Sequence, residues 1–289
     1  MRTRTAALAS LAFIAFVWGY NWVVMKEAMR YASPFEFLSW RFAIAMLCLF
    51  GALAALGRPM RLTHAPSVLA IGLLQTTATF GLTTWALVAG AAGKSAVLSY
   101  TMPFWVTLFA WPALIERPSP AQWSAVGIAL VGLALLIGPT LRPGVPELLA
   151  LGSGVAWAAG IVITKRLQTR ERVDTLALSA WQTLLGGAAL IALALAFPGK
   201  PTQWTPYLAF AVLYNGIVVS ALCWFLWFWV LGRLEAGLAS LGTLAVPVLG
   251  VLFGVLELGE RPSALEWGGI ALVVAALALS GLAARRKTA

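Results

Sequence analysis

Long apolar runs separated by short polar gaps make up almost the whole chain. A helix needs about 20 apolar residues to cross a bilayer, and ten runs approach that length: roughly 6–25, 34–56, 66–89, 94–114, 120–138, 146–164, 174–197, 206–231, 236–256 and 263–283. The gaps are too short to hold a folded soluble domain. The pattern therefore predicts an all-α membrane protein with ten transmembrane helices.

Prolines support these boundaries. Pro34, Pro118, Pro146, Pro206 and Pro262 each fall at or just before the start of an apolar run. Proline is tolerated in the first turn of a helix, because the backbone N–H that it lacks has no partner there. We therefore expect helices to begin near these five positions.

The chain also repeats itself. The segment from Gly93 reads GKSAVLSYTMPFW, and the segment from Gly237 reads GLASLGTLAVPVL. At the same offset the matched pairs are Pro103 with Pro247, Phe109 with Phe253, Glu116-Arg117-Pro118-Ser119 with Glu260-Arg261-Pro262-Ser263, and Trp123 with Trp267. Weaker matches at similar offsets relate Trp18 to Trp157, Trp40 to Trp181 and Trp85 to Trp229.

This repeat predicts two halves of five helices each, residues 1–140 and residues 141–289. Because five is odd, the second half enters the membrane in the opposite sense to the first. Inverted repeats related by a pseudo-two-fold axis in the membrane plane are typical of alternating-access transporters. The sequence therefore predicts a central cavity where the two halves meet, and the repeat argues against a channel.

Composition and charge agree with a membrane location. Hydrophobic residues make up 61% of the 289 residues and charged residues only 10%, against about 25% charged in soluble domains. The net charge is +10, and the Lys and Arg residues that carry it lie mostly in the gaps between the apolar runs. With the amino terminus in the cytoplasm, roughly thirteen Lys and Arg residues fall on the cytoplasmic side and roughly six on the other. We expect both termini in the cytoplasm, and no nucleic-acid partner.

Two motifs carry a family resemblance. The first span contains Trp18-Gly19-x-Asn21-Trp22, and Glu260-Arg261-Pro262 separates the last two spans. With ten spans in two halves, the chain resembles the drug/metabolite transporter superfamily and its EamA-type exporters, most of all the bacterial exporters of aromatic amino acids. The resemblance implies export of amino acids or related metabolites across the bacterial inner membrane. It also implies a cavity lined by spans one, three, four, six, eight and nine.

Polar and aromatic side chains inside the spans are the candidates for binding a solute. Amides in hydrocarbon are costly unless they face the bundle interior or water, and aromatic rings suit an apolar cavity. The candidate substrate-binding residues are Trp18, Asn21, Gln75, Thr79, Tyr100, Trp157, Tyr214 and Trp224. The alternative is that the polar groups join helices and that the aromatic rings pack or face lipid.

Pro103 and Pro247 are candidate hinges. They fall near the middle of spans four and nine, where proline removes one backbone hydrogen bond and bends the helix. The carbonyls that lose their partners belong to Ser99 and Thr243. The alternative is a static kink in each helix.

The charged residues limit the energy source and the chemistry. Every Asp and Glu lies in a gap or near the end of a span, and the one histidine, His64, lies in a loop. Proton-driven pumps normally keep an ionisable group inside a span, so we expect facilitated transport. Arg41 is the exception, about two turns into span two, where it can reach towards the membrane surface, pair with Glu36 or Glu27, or contact the substrate.

The scarcity of ionisable residues inside the spans also argues against an enzyme. The sequence offers no nucleophile–base set or metal cluster, so we expect a monomeric carrier of small solutes, with no cofactor, metal or catalytic residue. A membrane-embedded enzyme stays open as an alternative, and so does a multidrug or other metabolite exporter of the same superfamily. An exporter of cationic drugs would benefit from a carboxylate inside a span.

Overall fold

The computed structural model describes residues 2–114, 119–137, 143–231, 233, 243 and 245–286. All regular structure in these residues is helical, which confirms the predicted all-α class. The Glu116-Arg117-Pro118 copy of the loop motif lies outside the described residues, as does most of the beginning of the predicted ninth span.

The helices follow the predicted order. Six of them are long and apolar enough to cross a membrane within the described residues. We number the helices by predicted span: α1 Arg2–Ala28, α2 Pro34–Ala55, α3 Ala65–Ala89, α4 Ala92–Ser99 and Met102–Leu114, α5 Pro120–Ile137, α6 Val145–Arg170, α7 Thr175–Ala196, α8 Pro206–Leu213 continued by Tyr214–Leu222 and Cys223–Leu231, α9 Ala245–Leu258, and α10 Ala264–Arg286.

Local side-chain chemistry explains several helix starts. Asp174 precedes α7, and its Oδ1 accepts hydrogen bonds from the N–H groups of Leu176 and Ala177, both at 2.9 Å. Thr205 precedes α8, and its hydroxyl accepts from the N–H of Leu208 at 3.1 Å. These caps satisfy donors that the first turn of a helix leaves without partners.

The packing of the helices is symmetric between the halves. Exchanging α1–α5 with α6–α10 turns each of the larger contacts between helices into another that is present: α1–α9 becomes α6–α4, α3–α6 becomes α8–α1, and α2–α8 becomes α7–α3. Three pairs, α2–α7, α4–α9 and α5–α10, are their own counterparts. Such a contact set is what a pseudo-two-fold axis produces.

The halves run in opposite directions. The last turn of α1 and the first turns of α4 and α6 meet at one face, where Lys26 bonds to the carbonyls of Leu87 and Gly90 and Lys94 pairs with Glu147. We call this the Lys94 face. The end of α2 and the start of α7 meet at the opposite face through Arg58 and Asp174, 2.9 Å apart. Since α1 ends where its counterpart α6 begins, the repeat is inverted.

Glycine allows the closest approaches between the halves. A Cβ on Gly72 of α3 would lie 2.7 Å from the carbonyl oxygen of Gln182 in α7. A Cβ on Gly216 of α8 would lie 3.1 Å from the carbonyl oxygen of Arg41 in α2. Both glycines lie in π-helical segments, Gly72–Ala78 and Tyr214–Leu222, at matched positions of the two halves. Small residues allow such backbone contact between membrane helices.

We predict that Gly186→Ala lowers the stability of the fold. The added methyl group would overlap the carbonyl oxygen of Gly72 and lie 2.5 Å from Cβ of Thr76. Overpacking of this kind costs about 1–3 kcal/mol, and thermal unfolding of the purified protein in detergent would show it. Gly51→Ala is the matched control, because a Cβ there meets nothing within 4 Å. Equal melting temperatures for the two variants would contradict the prediction.

Candidate functional site

A cavity lies at mid-depth between the two halves. Its empty space, together with the open solvent at its mouth, measures about 460 Å³. Helices α1, α3 and α4 from the first half and α6 and α8 from the second supply its wall, and the lining residues are Trp18, Asn21, Trp22, Met25, Thr79, Phe80, Thr83, Ser99, Tyr100, Trp157, Val219 and Trp224. The wall is mainly apolar and aromatic with a few polar groups, which is the usual character of a small-molecule site.

Tryptophans from three helices form one side of the cavity. The ring centroid of Trp18 lies 5.8 Å from that of Trp157 and 5.6 Å from that of Trp224. Tyr100 meets Trp157 edge-on at 5.3 Å. Trp18 and Trp157 are counterparts in the repeat, so the pseudo-two-fold axis brings them together. Rings at these distances pack favourably and give the cavity a large, stiff apolar surface.

Three polar atoms of lining residues are buried without a hydrogen-bond partner. They are Oδ1 of Asn21 and the indole Nε1 atoms of Trp157 and Trp224. Most buried polar atoms in proteins do have partners. Gln75 and Asn215 also keep a buried oxygen without a partner, but these residues do not line the cavity. One acceptor and two donors of the lining residues are therefore left without partners.

The structure brings most of the predicted substrate-binding residues together. Those that line the cavity are Trp18, Asn21, Thr79, Tyr100, Trp157 and Trp224. Gln75 and Tyr214 are not among the lining residues. The amide nitrogen of Gln75 donates to Oγ1 of Thr164 in α6 at 3.3 Å, and the hydroxyl of Tyr214 donates to the carbonyl of Val17 at 3.0 Å. Both join helices, as in the alternative stated for them.

Six lining residues were not among the predicted substrate-binding residues, namely Trp22, Met25, Phe80, Thr83, Ser99 and Val219. Trp22 and Met25 lie four and seven residues after Trp18, so helical periodicity alone would have placed them on its face. Phe80 follows Thr79 directly. Val219 carries no signal in the sequence, because apolar residues surround it on both sides.

Both candidate hinge prolines lie near the start of a helical segment as the structure describes it. Helix α4 breaks after Ser99 and resumes at Met102, so Pro103 is the second residue of a new helical segment. Pro247 is the third residue of α9 as described. In α4, proline thus follows a break in the helix and does not bend a continuous one, which differs from the mid-helix kink predicted there. Ser99, on the other side of this break, lines the cavity.

Charged side chains tie the helix ends together at the Lys94 face. The carboxylate of Glu260, which follows α9, accepts hydrogen bonds from the N–H groups of Ala92 and Gly93 at 2.5 and 3.0 Å. Lys94 lies 3.1 Å from Glu147 and 3.3 Å from Glu266. A carboxylate at a helix N-terminus is stabilised by the free N–H groups and the helix dipole. These contacts join α4, α6, α9 and α10 at this face.

We predict that Glu260→Ala loosens the Lys94 face. Two charge-assisted hydrogen bonds are lost, each worth about 1.5–3 kcal/mol. The measurement uses a protein carrying Cys48→Ser and Cys223→Ser, with Ser95→Cys as the only reactive thiol. Ser95 lies in α4 and is 3% exposed. Adding Glu260→Ala should make this cysteine react with a soluble maleimide about tenfold faster. Glu257→Ala is the control, since its described partner is an exposed contact with Tyr20 at 3.4 Å. The same labelling rate in both variants would contradict the prediction.

The described residues hold no group of three or more His, Cys, Asp or Glu able to bind a metal ion. The cavity wall instead offers hydrogen-bonding groups and aromatic surface.

Comparisons with known proteins agree with this architecture. The sequence profile of the EamA-like transporter family matches residues 5–138 and again residues 145–282. An uncharacterized transporter, YvbV of Bacillus subtilis, is 31% identical over 96% of this chain and 92% of its own. A riboflavin transporter of Rhizobium johnstonii is 30% identical over 93% of this chain and 87% of its own.

A protein named as a probable amino-acid metabolite efflux pump, from Escherichia coli K12, is 25% identical over 96% of this chain and 94% of its own. Among solved structures, one crystal structure superposes with a TM-score of 0.72 at 23% identity, covering 97% of this chain and 99% of that one. The structural match extends over both halves, and it concerns the fold alone.

Proposed function

Since this chain belongs to the EamA-like transporter family, we propose that it exports amino acids, aromatic and neutral ones in particular, across the bacterial inner membrane. The observation that carries this proposal is the cavity between the two halves, where an aromatic wall meets one unpartnered acceptor and two unpartnered donors. The relative named as an amino-acid metabolite efflux pump supports the same solute class.

The proposed binding mode follows from those atoms. The indole N–H groups of Trp157 and Trp224 donate to the carboxylate of the amino acid. Oδ1 of Asn21 accepts from its ammonium group. The side chain of the solute packs against Trp18 and Tyr100, where burial of apolar surface contributes about 25 cal/mol per Å². Neutral polar partners of this kind hold a zwitterion without placing a charge in the wall.

We infer an alternating-access mechanism from the inverted repeat. The two halves exchange conformations, with Pro103 and Pro247 as matched hinges beside the cavity. The charged contacts at the Lys94 face close that side while the cavity is open to the other. The division of the chain near residue 140 is part of the same proposal, supported by the two separate matches to the family profile.

The proposed energetics are those of facilitated diffusion. The described lining residues include no carboxylate and no imidazole, the groups that proton-coupled carriers normally place inside a span. We therefore propose that the solute moves down its own gradient, and that the protein is a monomeric carrier with no catalytic activity. The distribution of Lys and Arg supports a cytoplasmic location for both termini.

The two indole donors can be tested by conservative substitution. Trp224→Phe and Trp157→Phe each keep an aromatic ring and remove one N–H donor. A hydrogen bond to a charged group is worth about 1.5–3 kcal/mol, so each change should lower kcat/KM for phenylalanine transport about tenfold or more. Trp123→Phe, at a position 41% exposed, is the control and should leave transport unchanged. Equal losses in all three variants would point to a general effect on the fold.

The function itself is tested by flux measurements on the purified protein in proteoliposomes. Phenylalanine, leucine, lysine, riboflavin and a lipophilic cation such as tetraphenylphosphonium are compared, with and without a pH gradient. We expect saturable flux of phenylalanine and leucine that the gradient does not accelerate. Acceleration by the gradient would refute facilitated diffusion. Saturable flux of riboflavin or of the cation, without amino-acid flux, would assign a different solute within the same family.

A further inference from the structure

Arg41 is the largest side chain that the described structure buries completely. Its Nε donates to the hydroxyl of Ser220 at 2.6 Å, and its Nη1 lies 3.3 Å from the sulfur of Met25. Its Nη2 has no hydrogen-bond partner. Within the described residues no Asp or Glu forms an ion pair with it. A guanidinium has five N–H donors, so this buried charge is left undersatisfied.

The guanidinium lies directly behind the cavity wall. Its carbon atom is 4.2 Å from the centre of the Phe80 ring. Both Phe80 and Met25 line the cavity, and so does Val219, the neighbour of Ser220. The charge is therefore separated from the cavity by one layer of side chains. Thioether sulfur is a weak acceptor, so Met25 is a partner that a stronger acceptor can displace.

The repeat provides an internal comparison for this position. The match of Trp40 with Trp181 makes Gln182 the counterpart of Arg41, and the match of Trp85 with Trp229 makes Thr76 the counterpart of Ser220. The contacts correspond as well. Thr76 donates to Oε1 of Gln182 at 2.8 Å, whereas Arg41 donates to the hydroxyl of Ser220, so the same two positions are bonded with the direction of donation reversed.

Gln182 differs from Arg41 in being satisfied. Its Oε1 accepts from Thr76, and its Nε2 donates to Thr183 at 2.9 Å. A neutral amide therefore fulfils what helix packing requires at this position of the fold. A buried unpaired charge strongly destabilises a protein, and packing alone gives no reason for one at Arg41. The excess donors at Arg41 call for an acceptor that the described chain does not supply.

We propose that Arg41 is the anion-binding group of the transport site and that the solute carries a carboxylate. This proposal rests on the proposed function and adds a partner to its binding mode, because a carboxylate has about four acceptor sites and can accept from Arg41 as well as from the indole N–H groups of Trp157 and Trp224. When the solute enters, Met25 turns aside and the carboxylate pairs with Nη1 and Nη2 of Arg41, in the two-pronged geometry that guanidinium groups favour. Cationic solutes are repelled by the same charge across a medium of low dielectric constant.

Binding of matched probes to the purified protein tests this proposal without relying on transport. The probes are 3-phenylpropionate and its uncharged analogue 3-phenylpropionamide, with binding followed by tryptophan fluorescence. We expect the wild-type protein to bind the carboxylate at least tenfold more tightly than the amide. Equal affinity for the two probes, or no binding of the carboxylate, would overturn the proposal.

Variants then assign the preference to Arg41. Arg41→Gln installs the residue found at the matched position of the other half, so it suits the fold, and it should abolish the tenfold preference. Arg41→Lys should retain part of it. Gln182→Ala removes a helix-to-helix hydrogen bond of the same kind without changing charge, and should lower stability while leaving the preference intact. An unchanged preference in Arg41→Gln would show that Arg41 has a packing role only.

The results separate this proposal from the proposed function. Carboxylate preference that depends on Arg41, with no amino-acid flux in proteoliposomes, would support the anion site and reject amino acids as the solute. Amino-acid flux that is equal in wild type and Arg41→Gln would support the transport function and reject the anion site. Should Arg41→Gln fail to fold, Met25→Leu provides a second test, because removing the sulfur frees Nη1 and should tighten binding of the carboxylate.

Discussion

Close contact between helix backbones near the pseudo-two-fold axis is the constraint on which the structure depends. Lipid tails are as apolar as the side chains, so burial of apolar surface gives helices in a membrane little reason to associate. Association relies instead on small residues and on hydrogen bonds between helices. Gly72 against α7 and Gly216 against α2 provide the same contact twice. The two halves hold each other through these crossings, and the cavity is the space that remains between them.

The two halves share one arrangement of helices, and they differ in the side chains at single matched positions. Trp18 and Trp157 are counterparts that meet at the cavity and build its aromatic wall. Arg41 and Gln182 are counterparts that differ in charge while bonding to equivalent hydroxyl groups. A duplicated scaffold can keep its packing while one copy of a position changes its chemistry. The internal counterpart then shows what the fold alone requires there.

The undersatisfied polar groups near the cavity are a cost to stability. Buried donors and acceptors without partners each destabilise a protein by about 1–3 kcal/mol. Such groups persist where the surrounding packing holds them in place and where a ligand completes them. Fully buried Phe228 packs against Trp224 of the cavity wall, with ring centroids 5.6 Å apart, and the charged contacts at the Lys94 face join the helices around the site.

The sequence by itself determined the architecture. The length of the apolar runs predicts helices that cross a membrane, because lipid satisfies no backbone polar group and a helix satisfies its own. The repeated prolines and tryptophans predict two inverted halves, because an odd number of crossings reverses direction. Most of the predicted substrate-binding residues line one cavity in the structure. A polar side chain inside a span is costly where it faces lipid, so it faces the interior of the helix bundle instead.

Only the tertiary structure decided which of these side chains face a common space. Gln75 and Tyr214 looked in the sequence like Asn21 and Tyr100, yet their hydrogen bonds to Thr164 and Val17 join helices instead. Val219 lines the cavity without any signal in the sequence, and the partners of Arg41 come from two other helices, Met25 in α1 and Ser220 in α8. Helical periodicity fixes the direction of a side chain relative to its own helix, whereas the rotation and crossing of neighbouring helices determine what it meets.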